Sequence, residues 1–153
     1  MIDHLSRSPD ETRDLGEELA RALTPDGVLL LEGELGAGKT VFAQGVARGL
    51  GIDPREVQSP TFTLLREHRG PRGRLIHVDL YRLAPEEIPG TAIEEALFGG
   101  GVKLVEWSER LPFEIPGARR VRFRVLDSGE RRIEELRPER SAPDLVRQFA
   151  REE

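Results

Sequence analysis

One segment, Gly33–Thr40, constrains this chain more than any other part of it. Its sequence, Gly-Glu-Leu-Gly-Ala-Gly-Lys-Thr, matches the phosphate-binding loop pattern G-x-x-x-x-G-K-[S/T] at every fixed position. The apolar run Val28–Leu31 before it predicts a buried strand. After it, Phe42, Val46 and Leu50 recur every four residues, as on one face of a helix. A strand, a glycine loop and a helix in this order are the arrangement that the loop requires.

The residue types in this loop predict nucleotide binding. Glycines let the backbone curl so that N–H groups point at phosphate oxygens, and the helix N-terminus adds partial positive charge. Lys39 would reach the β- and γ-phosphates, and the Thr40 hydroxyl would bind Mg²⁺. A glycine turn that only caps a helix is the alternative, and the complete pattern with the correct flanks disfavours it.

Composition narrows the class of protein further. The net charge of -5 does not favour general adhesion to DNA or RNA, and the absence of cysteine excludes disulfides and thiolate metal sites. The chain has no asparagine, so the guanine-binding pattern Asn-Lys-x-Asp is missing and adenine is the expected base. No apolar run is long enough for a membrane span or a signal peptide. We therefore expect a single P-loop ATPase domain over residues 1–153 that is cytoplasmic and contacts neither membrane nor DNA.

The remaining patterns predict a three-layer α/β P-loop NTPase domain with a mainly parallel central sheet plus antiparallel strands. Ser8, Pro9 and Glu11 predict a helix start with a capping box. Whether this helix only covers the core or also lies near the base is left open. The predicted elements further along the chain are a hairpin from Thr63 to Tyr81 with its loop at Arg69–Gly73, helical segments at 85–88 and 91–97, strands at 121–125 and 132–136, and a final helix carrying Leu145, Val146 and Phe149.

Two carboxylates, Asp79 and Glu106, each follow an apolar run and are therefore expected at strand ends, where P-loop proteins hold Mg²⁺. The histidines His4, His68 and His77 lack metal-ligand spacing and are expected to be solvated or to lie in the hairpin. The arginines that alternate with Val121, Phe123 and Val125 favour a solvated strand face balanced by glutamates over a surface for RNA or an acidic partner.

Four segments in compact order resemble the TsaE (YjeE) family of small bacterial ATPases. These segments are Gly33–Thr40, Ser59–Leu64, His77–Arg82 and Val105–Pro112. The resemblance implies a protein that binds ATP/ADP and Mg²⁺ and acts in tRNA threonylcarbamoyladenosine biosynthesis. It also implies partnership with the TsaD and TsaB proteins, which modify adenosine 37 of tRNAs reading codons that begin with A, so that tRNA is contacted at most indirectly.

The resemblance also implies roles for individual residues. Thr40 and Glu106 would bind Mg²⁺, Asp79 would be needed for hydrolysis, and Ser59–Thr63 would form a switch loop. Thr12 would lie by the adenine, and Arg131 or Arg132 would close the base side. The phosphates would be wrapped by Leu35, Gly36, Ala37, Gly38, Lys39, Thr40 and Val41. The chain departs from the family pattern at Glu34, where aspartate is usual, and at Val41, where a second threonine is frequent.

Three functions are consistent with these patterns. The first is ATP hydrolysis by in-line attack of water, with Lys39 as a catalytic group and Asp79 orienting the water or holding a water of the Mg²⁺ shell. It is expected to be slow alone and stimulated by partners, with Arg82 as a candidate activating arginine. The second is a small-molecule P-loop kinase, which is disfavoured because no lid insertion is evident. The third is a binding module that ATP switches.

Overall fold

A seven-stranded sheet forms the centre of the part of the chain that the computed structural model describes, residues 1–34, 36–58 and 64–137. The strands are β1 (Asp3–Ser6), β2 (Val28–Gly33), β3 (Leu65–Gly70), β4 (Gly73–Asp79), β5 (Val102–Glu106), β6 (Arg119–Val125) and β7 (Arg131–Leu136). The α-helices are α1 (Pro9–Ala22), α2 (Lys39–Gly49) and α3 (Ala92–Leu97), and short 3₁₀ turns lie at Pro54–Glu56, Pro85–Glu87 and Ser108–Arg110.

The strand order is β1-β7-β6-β2-β5-β4-β3. The four central strands, β6, β2, β5 and β4, are parallel, and the pairs β1–β7, β6–β7 and β3–β4 are antiparallel. In the register of the central strands, Leu31 is opposite Glu106, and Glu106 is opposite Asp79. The carboxyl ends of β2, β5 and β4 therefore meet at the same edge of the sheet, where the phosphate-binding loop begins.

Both faces of the sheet are covered, which confirms the predicted fold class. One face packs its apolar side chains, among them Leu29, Leu31 and Val121, against α1 and α2. The other face, with Leu30 and Val105 at its centre, is covered by α3 and by the chain from residue 111 to residue 118. Among the described residues, none of the helices combines the length and the apolar character that crossing a membrane requires.

Helices α1 and α2 approach each other closely at glycines. A Cβ added at Gly45 would lie 2.0 Å from the carbonyl oxygen of Arg13, and one added at Gly16 would lie 2.4 Å from that of Phe42. Only residues without a side chain allow backbones to come this close. The contact brings Thr12 of α1 against the phosphate-binding loop: its Cγ2 is 3.7 Å from the position of a Cβ at Gly38.

The turn of the β3–β4 hairpin lies on the C-terminal end of α2. The Arg72 backbone N–H donates to the carbonyl of Leu50 (3.1 Å). Its guanidinium donates to the carbonyls of Gly49 (Nε, 2.9 Å) and Arg48 (Nη2, 3.2 Å). The Arg48 carbonyl also accepts from the Gly51 N–H (3.0 Å), and the guanidinium adds a cation at this helix end that complements the helix dipole.

Several predicted elements are confirmed, and some boundaries are corrected. The helix starting at Pro9, the strands at 121–125 and 132–136 and the helical segments at 85–88 and 91–97 are present. The hairpin loop is shorter than the predicted Arg69–Gly73, because backbone pairing continues to Gly70 and Gly73. Strand β1 was not predicted. Thr63, where the hairpin was expected to begin, and the final helix around Leu145–Phe149 lie outside the described residues.

The start of α1 differs from the predicted capping box in one hydrogen bond. The Ser8 hydroxyl accepts from the Glu11 N–H (3.1 Å), as expected. The Glu11 carboxylate, however, accepts from the N–H of Arg7 (2.7 Å), one residue before the predicted donor, Ser8. The Ser8 hydroxyl therefore caps the helix, while the Glu11 side chain bonds a residue that precedes the cap.

We expect Ser8→Ala to destabilise the protein by about 1 kcal/mol, because the Glu11 N–H loses its acceptor. Urea unfolding measures this change. Ser8→Asp is the matched control, since aspartate restores an acceptor and places a negative charge at the helix N-terminus. Equal stability of the alanine variant and the unsubstituted protein would contradict the capping role.

Candidate nucleotide-binding site

The phosphate-binding loop leaves β2 and enters α2 through glycines with positive φ. Gly33 has φ 146°, and a Cβ there would lie 2.6 Å from the carbonyl oxygen of Phe123. Gly38, the N-cap of α2, has φ 105°, which is in the left-handed region that residues other than glycine rarely adopt. These conformations turn the chain back over the carboxyl end of β2. The N-terminus of α2 therefore opens onto the same edge as the strand ends.

The Lys39 side chain is held at the centre of the site. Its Nζ donates to the carbonyl of Gly33 (2.6 Å) and lies 3.8 Å from the centroid of the Trp107 ring. Burial lowers the pKa of the Lys39 ammonium, and the carboxylates of Glu106, Glu109 and Asp79 oppose that shift. Among the described residues, the close partners of this buried cation are a carbonyl and an aromatic face, which leaves it well placed to receive phosphate oxygens.

Thr40 and Glu106 meet at the start of α2, as the sequence predicts for a pair of metal ligands. The Thr40 hydroxyl donates to Glu106 Oε1 at 3.2 Å, and the Glu106 side chain is almost completely buried. A hydroxyl and a carboxylate are hard oxygen donors that suit Mg²⁺. In the described ranges, no group of three or more His, Cys, Asp and Glu side chains could hold a metal.

Asp79 ends β4 directly beside Glu106. The two residues are Cα partners in the parallel pair β4–β5, and both are buried. Asp79 Oδ1 accepts from the backbone N–H of Tyr81 (2.9 Å), which fixes the carboxylate at the carboxyl edge of the sheet. The structure thus brings both predicted acids to the phosphate-binding loop. Arg82, the candidate activating arginine, is exposed in the turn that follows.

The predicted adenine-side residues lie on the β7 side of the loop. Arg131 Nη2 donates to the Gly36 carbonyl (3.3 Å), whereas Arg132 turns away to Asp3. The sequence did not decide between Arg131 and Arg132 for the base side. The structure brings Arg131, and not Arg132, to the loop. The Thr12 hydroxyl bonds Ser6 Oγ (2.7 Å), so Thr12 faces the loop with its methyl group.

The other predicted phosphate-binding residues are distributed along the start of α2. Ala37 is buried, Val41 is half-buried in the first turn of the helix, and Gly36 has φ 76°. Leu35 and the predicted switch loop, Ser59–Thr63, lie outside the described residues. Contact of all these residues with a nucleotide stays a prediction.

Two side chains at the site had no role in the sequence-based prediction. Trp107, which supplies the ring beneath Lys39, adopts a left-handed conformation (φ 59°) and packs against Tyr81 with ring centroids 5.0 Å apart. His77 lies in the hairpin, as expected, but it is fully buried and contacts Glu106. Two features of the sequence could have indicated these residues. Trp107 is the single tryptophan of the chain, and His77 lies two residues before Asp79 and therefore on the same strand face.

The fold and the geometry of this site define a nucleotide-binding protein of the P-loop class. The family of the threonylcarbamoyl adenosine biosynthesis protein TsaE matches residues 6–134. This chain belongs to the TsaE family.

Individual relatives agree with this assignment. A tRNA threonylcarbamoyladenosine biosynthesis protein TsaE of Treponema pallidum is 43% identical over 131 residues, which cover 84% of this chain and 96% of the relative. The protein of the same name from Bacillus subtilis is 42% identical over 112 residues, covering 73% of this chain and 70% of the relative. The crystal structure of Bacillus subtilis YdiB is similar with a TM-score of 0.70 and 31% identity, and the match covers 99% of this chain and 95% of that one.

Proposed function

We propose that this protein is an ATPase that acts in tRNA threonylcarbamoyladenosine biosynthesis together with TsaD and TsaB. Membership of the TsaE family supports the pathway. The observation that carries the enzymatic part is the convergence of Lys39, Thr40, Asp79 and Glu106 at one edge of the sheet. A purely structural P-loop would not need two buried carboxylates beside it.

The proposed roles follow from position. Lys39, already at the mouth of the loop, would exchange its bond to the Gly33 carbonyl for phosphate oxygens and stabilise their charge. Thr40 and Glu106 would hold Mg²⁺, whose charge offsets that of the phosphates. Asp79 would orient the attacking water, because its carboxylate is fixed at the strand end beside the loop.

The nucleotide is proposed to be ATP, with ADP as the product, because the chain has no asparagine for a guanine-binding motif. Thr12 and Arg131 would border the base, since both contact the loop on the side away from Asp79. The net charge of -5 supports at most indirect contact with tRNA. We also propose that the protein is cytoplasmic, where its pathway operates.

Hydrolysis is proposed to be slow in the isolated protein and faster with its partners. Among the described residues, Lys39 and Arg131 are the cations that donate to carbonyls of the loop, and Arg131 is proposed to lie on the base side, away from the γ-phosphate. The additional positive charge that P-loop enzymes use in the transition state would then come from a rearranged Arg82 or from a partner protein.

Asp79→Asn tests the hydrolytic role. Asparagine keeps an oxygen acceptor for the Tyr81 N–H but removes the charge, so we expect nucleotide binding to persist while ATP turnover falls by about 10²- to 10⁴-fold. The measurement is phosphate release by the purified protein, alone and with TsaD and TsaB. The unsubstituted protein should be stimulated by the pair, and the variant should not.

Other results of these experiments would favour a different function. An Asp79→Asn protein that supports tRNA modification fully while hydrolysing nothing would favour an ATP-switched binding module. Phosphate transfer to a small metabolite instead of water would identify a kinase. Full turnover without partners, unchanged on their addition, would refute the proposed stimulation.

A further inference from the structure

Both oxygens of the Glu106 carboxylate are bound by side chains. Oε1 accepts from the Thr40 hydroxyl (3.2 Å), and Oε2 is 2.5 Å from Nε2 of His77. Glu106 is 3% exposed and His77 is not exposed at all. The carboxylate therefore lies between a residue of the phosphate-binding loop helix and a residue of the neighbouring strand β4, shielded from water.

The hydrogen bonding of His77 assigns its proton. Nδ1 is buried without a hydrogen-bond partner among the described residues, and a proton there would be an unsatisfied buried donor. The ring proton is therefore placed on Nε2, where Glu106 accepts it. The His77 side chain thus donates to the carboxylate, and this is its one side-chain hydrogen bond among the described residues.

We propose that His77 is a positioning residue for the metal site: it holds Glu106 Oε2 so that Oε1 stays directed at Thr40 and the Mg²⁺ that the two residues would bind. The proposal deepens the proposed function and depends on Glu106 being a metal ligand. Carboxylates that bind metals are themselves held by hydrogen bonds from neighbouring groups, and such outer contacts orient the metal-binding oxygen.

Electrostatics explain why Glu106 needs a second anchor. The Lys39 ammonium and the Glu106 carboxylate attract each other across the site. Without a donor to Oε2, the carboxylate would be free to rotate toward that cation and away from the Thr40 hydroxyl. His77, fixed in the centre of β4, opposes this movement because strand pairing on both sides limits its backbone.

Three substitutions at His77 separate positioning from packing. Leucine removes the donor and keeps most of the volume. Asparagine is polar but ends about where Nδ1 lies, too short to reach Glu106, whereas glutamine extends its amide N–H to the place of Nε2. Mg²⁺ is titrated into each variant bound to a fluorescent, non-hydrolysable ATP analogue, and the affinity for the analogue is measured separately in EDTA.

We expect His77→Leu and His77→Asn to weaken Mg²⁺ binding by about 10- to 100-fold while leaving the affinity for the analogue in EDTA unchanged. His77→Gln should retain the Mg²⁺ affinity of the unsubstituted protein. Adding His77→Leu to a Glu106→Gln background should cause no further loss, because the carboxylate that His77 holds is already gone.

The Glu106→Gln variant distinguishes the positioning role of His77 from the metal-binding role of Glu106. If Glu106→Gln weakens Mg²⁺ binding and His77→Leu and His77→Asn do not, the positioning role is wrong and the metal site stands. If Glu106→Gln itself leaves Mg²⁺ binding unchanged, the proposed metal ligand is wrong. Should leucine and asparagine prevent folding, the glutamine variant decides: loss of Mg²⁺ affinity in a folded His77→Gln protein would overturn the proposal.

Discussion

Lys39→Ala is expected to weaken ATP binding by at least about 100-fold, or roughly 3 kcal/mol. The Lys39 ammonium is buried at the mouth of the loop, where the described residues hold it through the Gly33 carbonyl and the Trp107 ring. Phosphates would replace these uncharged partners with anionic oxygens, which add the attraction of opposite charges to the hydrogen bonds. Titration with a fluorescent ATP analogue measures the change.

Lys103, the other lysine of the chain, supplies a matched control. Its Nζ donates to the carbonyls of Asp26 (3.0 Å) and Gly99 (2.6 Å), near the amino end of β5 and away from the loop. Lys103→Met should therefore reduce stability but leave the affinity for ATP unchanged. If Lys39→Ala bound the analogue as tightly as the unsubstituted protein, the loop would not be the phosphate site.

Gly45→Ala is expected to destabilise the protein by about 3 kcal/mol or more, with a fall in Tm of about 6–12 °C. The added Cβ would lie 2.0 Å from the carbonyl oxygen of Arg13 and 2.8 Å from its carbonyl carbon. These are backbone atoms of another helix, so neither rotates out of the way, and α1 must move off α2. Thermal unfolding followed by circular dichroism measures the shift.

Gly99→Ala is the comparison for this effect. A Cβ at Gly99 would meet its nearest neighbour, the carbonyl oxygen of Glu95, at 3.4 Å, an ordinary contact, and no positive φ is involved. Its Tm should stay close to that of the unsubstituted protein. Equal Tm values for the two variants would show that the helices have room to separate. Reduced ATP affinity in folded Gly45→Ala would further show that the helix contact positions Thr12 at the loop.

The parts of this site that the sequence predicts are those fixed by local pattern. The phosphate-binding loop has a fixed spacing, and the apolar runs before Asp79 and Glu106 identify strand ends. Because carboxyl ends of parallel strands meet at one edge, the two acids could be expected near the loop, and the structure places them as neighbours. The alternation at Val121 and Phe123 likewise predicts β6, whose arginines are balanced by glutamates, as in the pairs Arg122–Glu32 and Arg124–Glu134.

The parts that could not be predicted depend on long-range contacts. The pairing of His77 with Glu106 joins residues 29 positions apart on neighbouring strands. The placement of Trp107 under Lys39 requires a left-handed backbone that a tryptophan rarely adopts. Strand β1 has few apolar residues, and its pairing with β7 stabilises it. In each case tertiary contacts outweigh the local preference.

The contact of Arg72 with the end of α2 has a consequence for attaching probes. Since the Arg72 guanidinium bonds two carbonyls at the end of the loop helix, a peptide tag inserted at the Pro71–Arg72 turn would remove these bonds. The turn at Pro116–Gly117 is exposed, but Gly117 has φ 76°, so a side chain at that position would be strained. A fluorescent label or affinity tag belongs at the exposed Pro116, where it can report on complex assembly without loosening the helix that carries Lys39.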